Sequence, residues 1–333
     1  MEMLGSPRVT RVDGTSIAWT ELGSGPPIVL LHGMADSHRT WRRAAPALAS
    51  RFRVLLPDLP GHGFSARPDA PYTLDWYART LLGWLDAVDV GRAHLVGHSF
   101  GGGVAQWMLL EQPQRVDRLV LVAPGGLGPE VSLGLRLASF PLLGRWLAQP
   151  LMGIGTHVMM RLGGQHSSEE IARAAWLNRA PGTGMAFHRT VSGCIDLLGQ
   201  RVQTWDRIES VKLPPLALVW GERDPILPID QAVRARDLFE GAAFAHYAGV
   251  GHFPHLEAAE RFARDVDGFL VGELAPARVR VHVRLPRPGR TRRLLRRIHA
   301  AIRRVFRRGS SPAPKRGKAP RALPEGKSDA PGT

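Results

Sequence analysis

The chain has 333 residues, 44% of them hydrophobic, which is enough for one large α/β domain carrying an insertion. A single cysteine, Cys194, excludes an internal disulfide and a multi-cysteine metal site, and no uninterrupted apolar run reaches the ~18 residues of a membrane span. The formal charge of +15 is uneven: residues 278–333 hold 18 Lys+Arg against 2 Asp+Glu, whereas the rest hold 26 against 27. The opening MEMLGSPRVT lacks the charged-then-apolar pattern of a signal peptide, so the cytoplasm is the expected location.

In chain order, 8–14 and 15–23 read as a hairpin about Asp13–Gly14. PPIVLLHG (26–33) is a buried strand entering a glycine turn. TWRRAAPALAS (40–50) reads as a helix, and FRVLLPDLPGHG (52–63) as a strand with a turn-rich loop. A helix is expected over 73–88, with Thr73 as its N-cap. AHLVG (93–97) is a buried strand, FGGGVAQWMLLEQP (100–113) a helix ending before Pro113, and VDRLVLVAPGG (116–126) the next strand. Residues 127–210 hold no convincing strand and read as short helices, with a capping box from Ser167 to Glu170. Alternation resumes with a strand at 214–224, a helix at 229–240, a strand within 242–252 and a last helix at 256–271. This alternation predicts a mostly parallel sheet with helices on both faces. The expected divisions are a core of 1–126 and 211–274, a helical cap at 127–210, a basic amphipathic segment at 278–309 and a disordered tail at 310–333.

Between the strand at 93–97 and the helix after it stands GHSFG (97–101), a serine with glycine two residues before and two after. That is the pattern of a nucleophile elbow, where small neighbours let the helix lie close to the strand. A serine hydroxyl is a weak nucleophile near neutral pH. It needs a base, a group to orient the base, and donors aimed at the oxyanion. Asp224 follows the strand LALVW and His252 follows AFAHY, both at carboxyl ends of strands, where open α/β sheets place their sites. Glu222, earlier in its turn, and His255, three residues into the next helix, are competing candidates. Ser99, Asp224 and His252 are the expected catalytic set, and the backbone N–H groups of Met34 and Phe100 the expected oxyanion donors. His32 is read as fixing the shape of its loop, since one base suffices. Neither metal nor organic cofactor is needed. Cys194 reads as a small core residue of a helical pattern.

Four segments, HGMADS (32–37), DLPGHGFS (58–65), GHSFGG (97–102) and the pair GERDPILP and GVGH (221–228, 249–252), resemble the α/β-hydrolase fold superfamily, in the large and mostly bacterial esterase and hydrolase group. The resemblance covers about residues 8–272. It implies an α/β-hydrolase fold, a mostly parallel eight-stranded sheet with an inserted helical cap, and the chain order Ser, Asp, His seen here. It also makes the loop around Asp58 and His62 structural, with no catalytic role for His62. Haloalkane dehalogenases and epoxide hydrolases use an aspartate where this chain has Ser99. Carbon–carbon hydrolases keep the serine but have a longer, more glycine-rich oxyanion segment. Proline iminopeptidases carry a tryptophan at the position of Phe100. The resemblance therefore implies a serine esterase or lipase-like hydrolase of an apolar acyl or aryl ester, with a carbon–carbon hydrolase, an acyltransferase and a non-catalytic receptor as alternatives.

Phe140, Trp146 and Met159 are the expected substrate contacts in the cap, and medium acyl or aryl esters the expected substrates. In the tail, TRRLLRRIHAAIRRVFRRG (291–309) places Leu294, Leu295, Ile298, Ile302, Val305 and Phe306 at helical spacing among eight arginines. This composition suits an anionic membrane surface better than nucleic acid, which has no use for the apolar stripe.

Overall fold

The sheet is built from short runs whose alternate residues face opposite layers. In β3 (Pro27–Leu31), Val29 and Leu31 enter one core while Ile28 and Leu30 enter the other. The same alternation runs through β5 (Ala93–His98), β6 (Val116–Val122) and β9 (Leu216–Gly221), all buried on both faces as parallel strands must be. With β1 (Arg8–Val12), β2 (Thr15–Leu22), β4 (Arg53–Pro57) and β10 (Ala243–Tyr247) they form one eight-stranded sheet in the order β1-β2-β4-β3-β5-β6-β9-β10. Only the β1–β2 and β2–β4 pairings are antiparallel. The expected hairpin turns at Asp13 and Gly14, both at positive φ as its tight geometry requires.

This computed structural model describes residues 4–163, 167–204, 207, 211–239 and 241–273, all within one compact unit of residues 1–283. The side chains of 141–147, 162, 163 and 236–238 lie outside the description. So do the basic segment and tail expected at 278–333.

One core lies under helices Leu74–Ala87 and Phe100–Glu111, and the other under Ala259–Val271 with Trp41 and Leu48. The segment after β6 holds helices Leu133–Ala138, Pro141–Gly163, Ser168–Leu177 and Thr183–Cys194. The Ser167 hydroxyl accepts the Glu170 N–H at 3.2 Å, capping the third of these. Two expectations need correction. The helix expected over 40–50 is a 3-10 turn, His38–Trp41, and one helical turn, Ala45–Leu48, because Pro46 tolerates a helix start but cannot continue one. The segment 127–210 also contains a small antiparallel hairpin, β7 (Ile195–Asp196) with β8 (Gly199–Gln200).

Candidate active site

β5 ends at His98, and Ser99 turns the chain into the next helix with φ 53° and ψ −117°. That backbone lies in a region a non-glycine residue rarely enters. Its neighbours hold it there. The Ser99 N–H donates to the Val122 carbonyl at 2.9 Å, and the Ser99 carbonyl accepts from Gly102, Gly103 and Gly125. A Cβ on Gly101 would stand 2.4 Å from the His32 carbonyl oxygen, and one on Gly97 2.5 Å from that of Gly101. The helix therefore lies as close to β3 and β5 as backbone allows. Its first residue, Phe100, has no intrahelical acceptor for its N–H.

The turn after β3 is fixed from within. His32 Nδ1 donates to the Gly33 carbonyl at 2.7 Å, and Nε2 accepts the Leu59 N–H at 2.9 Å. Burial lowers the His32 pKa, which suits a neutral ring with one donor and one acceptor nitrogen. Asp58 braces the neighbouring loop, accepting the N–H groups of His38 and Phe64 and the His38 ring at 2.9 Å. Burial would raise the Asp58 pKa, but His38, His32 and the backbone donor of Phe64 together outweigh it and hold the carboxyl low. His62 donates to the Pro60 carbonyl, and burial drives its pKa down to about 3. Both histidines serve loop architecture, as the sequence indicates. Among the described residues neither the Met34 nor the Phe100 N–H has a hydrogen-bond partner.

Asp224 follows β9, buried at 8% exposure. Its Oδ1 accepts the N–H groups of Ile226 and Leu227 at 2.8 and 2.9 Å, which aims Oδ2 at His252 Nδ1, 2.7 Å away. The competitors are engaged elsewhere. Glu222 accepts the Gly249 N–H, and His255 Nε2 pairs with the Thr40 hydroxyl at 2.9 Å beneath Trp41. No hydrogen bond joins Ser99 to His252 in this state; such bonds commonly tighten only with substrate.

Ser99 and His252 line one cavity of about 490 Å³, in the size range of small-molecule sites. Its walls are mainly apolar. Met159 is among them, together with Met152, Val158, Phe187, Ile226 and Phe253. Phe140 is not: it sits in the turn between helices Leu133–Ala138 and Pro141–Gly163, 40% exposed. The Trp146 side chain lies outside the described residues.

His98 is a site residue that the sequence reading missed. Its ring lies 4.7 Å from that of His252 and 4.5 Å from that of His255, centroid to centroid. Its Nε2 donates to the His252 carbonyl at 2.8 Å, and burial holds its pKa well below the usual range. A neutral His98 thus tethers the loop that carries His252. Its partners lie more than 150 residues away, so no local pattern could show this. Among the described residues there is no cluster of three or more His, Cys, Asp or Glu side chains able to hold a metal. Nor is any described helix long and apolar enough to cross a membrane.

Comparison with known proteins places this geometry in a family. The sequence model of the alpha/beta hydrolase fold matches residues 26–259, and the chain belongs to that family. An uncharacterised protein of Mycobacterium tuberculosis is 35% identical over 270 residues, covering 78% of this chain and 79% of its own. The 2-hydroxymuconate semialdehyde hydrolase of a Pseudomonas species is 30% identical over 265 residues, 74% of this chain and 88% of its own. Among solved structures, the meta-cleavage product hydrolase of Pseudomonas fluorescens superposes with a TM-score of 0.69 at 25% identity, over 82% of this chain and 99% of that one.

Proposed function

We propose that this chain is a serine hydrolase that cleaves a carboxylic ester of a mainly apolar substrate through an acyl-enzyme. The observation that carries the reading is the 2.7 Å pairing of Asp224 with His252 Nδ1 in the wall of the cavity that holds Ser99. With Nδ1–H donated to Asp224, the Nε2 of His252 is the basic nitrogen. It takes the Ser99 proton as Oγ adds to the carbonyl, and later gives it to the leaving alkoxide. Met34 and Phe100 N–H groups receive the oxyanion. Water, activated by the same histidine, then releases the acid. The test is labelling by a fluorophosphonate probe: the native chain is expected to react, and Ser99→Ala to lose the label entirely. An unlabelled native chain that folds and binds apolar ligands would favour a receptor instead.

A second reading, carbon–carbon hydrolysis, draws on the likeness to a muconate semialdehyde hydrolase. Such a substrate carries a carboxylate, and none of the described cavity-lining residues is Lys or Arg; the charged carboxyl among them is that of Asp36. That lining favours an uncharged ester. The reading also includes contact between the basic segment 291–309 and an anionic membrane surface. The full chain is expected to co-sediment with phosphatidylglycerol vesicles, and to lose that binding when its eight arginines are replaced by glutamine.

A further inference from the structure

A second, smaller cavity of about 50 Å³ also has Ser99 in its wall. The two share Met34, Ser99, Leu135 and Ile226, so they adjoin at the nucleophile residue. One difference bears directly on proton transfer: His252 is in the wall of the large arm and absent from that of the small one. The small arm includes Phe100, whose N–H is an oxyanion donor in the proposed mechanism.

This difference sorts the two halves of an ester. Once Ser99 Oγ has added, the tetrahedral carbon carries four groups: Oγ, the oxyanion, the acyl carbon and the leaving oxygen. The oxyanion points to Met34 and Phe100. The leaving oxygen must come within hydrogen-bond reach of the proton on His252 Nε2, and so lies on the side of the large arm. The acyl carbon has the small arm left to it. Oγ–C bond formation, C–O cleavage and delivery of the Ser99 proton through His252 to the alkoxide balance the step, and water later replaces Oγ.

The walls of the small arm add its chemistry. Gln200 is spent on the backbone, accepting the Gly126 N–H at 2.8 Å and donating to the Gly128 carbonyl at 2.6 Å. Burial pushes the Cys194 thiol up to about 12, so it stays neutral. What the arm offers a ligand is the hydrocarbon of Leu74, Val131, Val202 and Leu227. At about 10–15 Å³ of water-accessible space per water-sized group, 50 Å³ holds about three to five such groups, the first few carbons of a chain.

Resting on the serine hydrolase reading above, we infer that the preferred substrates are esters of a short, unbranched acyl group, about two to four carbons, with a bulky apolar alcohol. The alcohol half occupies the cap-covered cavity. This reverses the medium acyl chain expected from the methionines of the cap, which on this geometry face the leaving group.

The test uses two isomers of equal size and polarity, octyl acetate and ethyl octanoate, hydrolysed by the full chain. Octyl acetate is expected to have at least a tenfold higher kcat/KM. Gly103 supplies the second arm of the test. It lines the small cavity, and a Cβ there would meet the Leu74 side chain at 3.5 Å and the Gly125 carbonyl at 3.8 Å, ordinary contacts. Gly103→Ala is therefore expected to fold, and to lower kcat/KM on octyl butanoate at least fivefold more than on octyl acetate. Equal or faster turnover of ethyl octanoate, or an unchanged butanoate-to-acetate ratio in Gly103→Ala, overturns the assignment. Turnover of neither isomer by a chain that the fluorophosphonate labels overturns it as well. Failure of the label on the native chain strikes instead at the serine hydrolase reading.

Discussion

Replacing Asp224 with asparagine separates the orienting role of this carboxylate from its structural one. In the native chain Oδ1 accepts two backbone N–H groups and Oδ2 faces His252. Asparagine has one acceptor to divide between these tasks. If its oxygen takes the Oδ1 place, both N–H groups stay satisfied. Its NH₂ then donates to His252 Nδ1 and forces the ring proton onto Nε2, which can no longer accept from Ser99. If the amide flips, the histidine keeps its working tautomer but two buried donors face an NH₂, at about 1–3 kcal/mol each. The inactive arrangement is thus favoured by about 2–6 kcal/mol, and the competent population falls by about 30-fold to about 10⁴-fold at 1.36 kcal/mol per decade. The upper end agrees with the roughly 10⁴-fold loss known for this exchange in serine proteases. The assay is steady-state hydrolysis of octyl acetate beside thermal unfolding followed by circular dichroism. Activity is expected to fall by this amount while the midpoint moves little, because the favoured amide orientation preserves both backbone bonds. Asp224→Ala should lose activity and stability together. A kcat for Asp224→Asn within threefold of native, in a folded chain, refutes the orienting role.

Other outcomes follow from the same geometry. Gly101→Ala would drive a methyl group into the Leu31 and His32 carbonyl oxygens, at 2.5 and 2.4 Å, and should cost about 1–3 kcal/mol of stability in urea unfolding as the helix retreats from β3. An unchanged urea midpoint would contradict the close approach described here. Stability should also fall on acidification. His62, held neutral down to about pH 3 in the fold, takes up a proton near pH 6.5 in the unfolded chain. The unfolded state then binds more protons below that pH, which favours unfolding by about 2 kcal/mol at pH 5. His98 and His32, shifted in the same direction, add to it. Equal urea midpoints at pH 7 and pH 5 would count against buried neutral rings. His98→Phe keeps the ring but loses the tether to the His252 carbonyl, and is expected to lower kcat roughly tenfold with KM nearly unchanged.

The sheet was legible because its strands are short apolar runs bounded by glycine and proline, buried on both faces, and such runs announce themselves locally. Ser99, Asp224 and His252 were legible as candidates for a related reason: each stands at the carboxyl end of such a run. What escaped was set by distant partners. The two-residue strands of the 195–200 hairpin are too short to carry a pattern. Pro46 was absorbed into a helix that it divides. Phe140 and Met159 look alike in sequence, yet which one faces the cavity depends on how two helices meet. The small arm could not be read at all, since its walls come from residues as far apart as Met34 and Leu227.

The elbow glycines bear on how far the GHSFG pattern can be trusted as a sign of chemistry. A Cβ at Gly97, Gly101 or Gly102 would collide with carbonyl oxygens or with Pro124, whatever side chain stands at position 99. They are demanded by the joint between helix and sheet, and the joint is needed simply to fold. A descendant that lost its serine chemistry would keep those glycines for the same steric reason. The glycines are thus a record of packing rather than of chemistry. What the joint does not fix is the pairing of Asp224 Oδ2 with His252 Nδ1, made by residues more than 120 positions further along the chain.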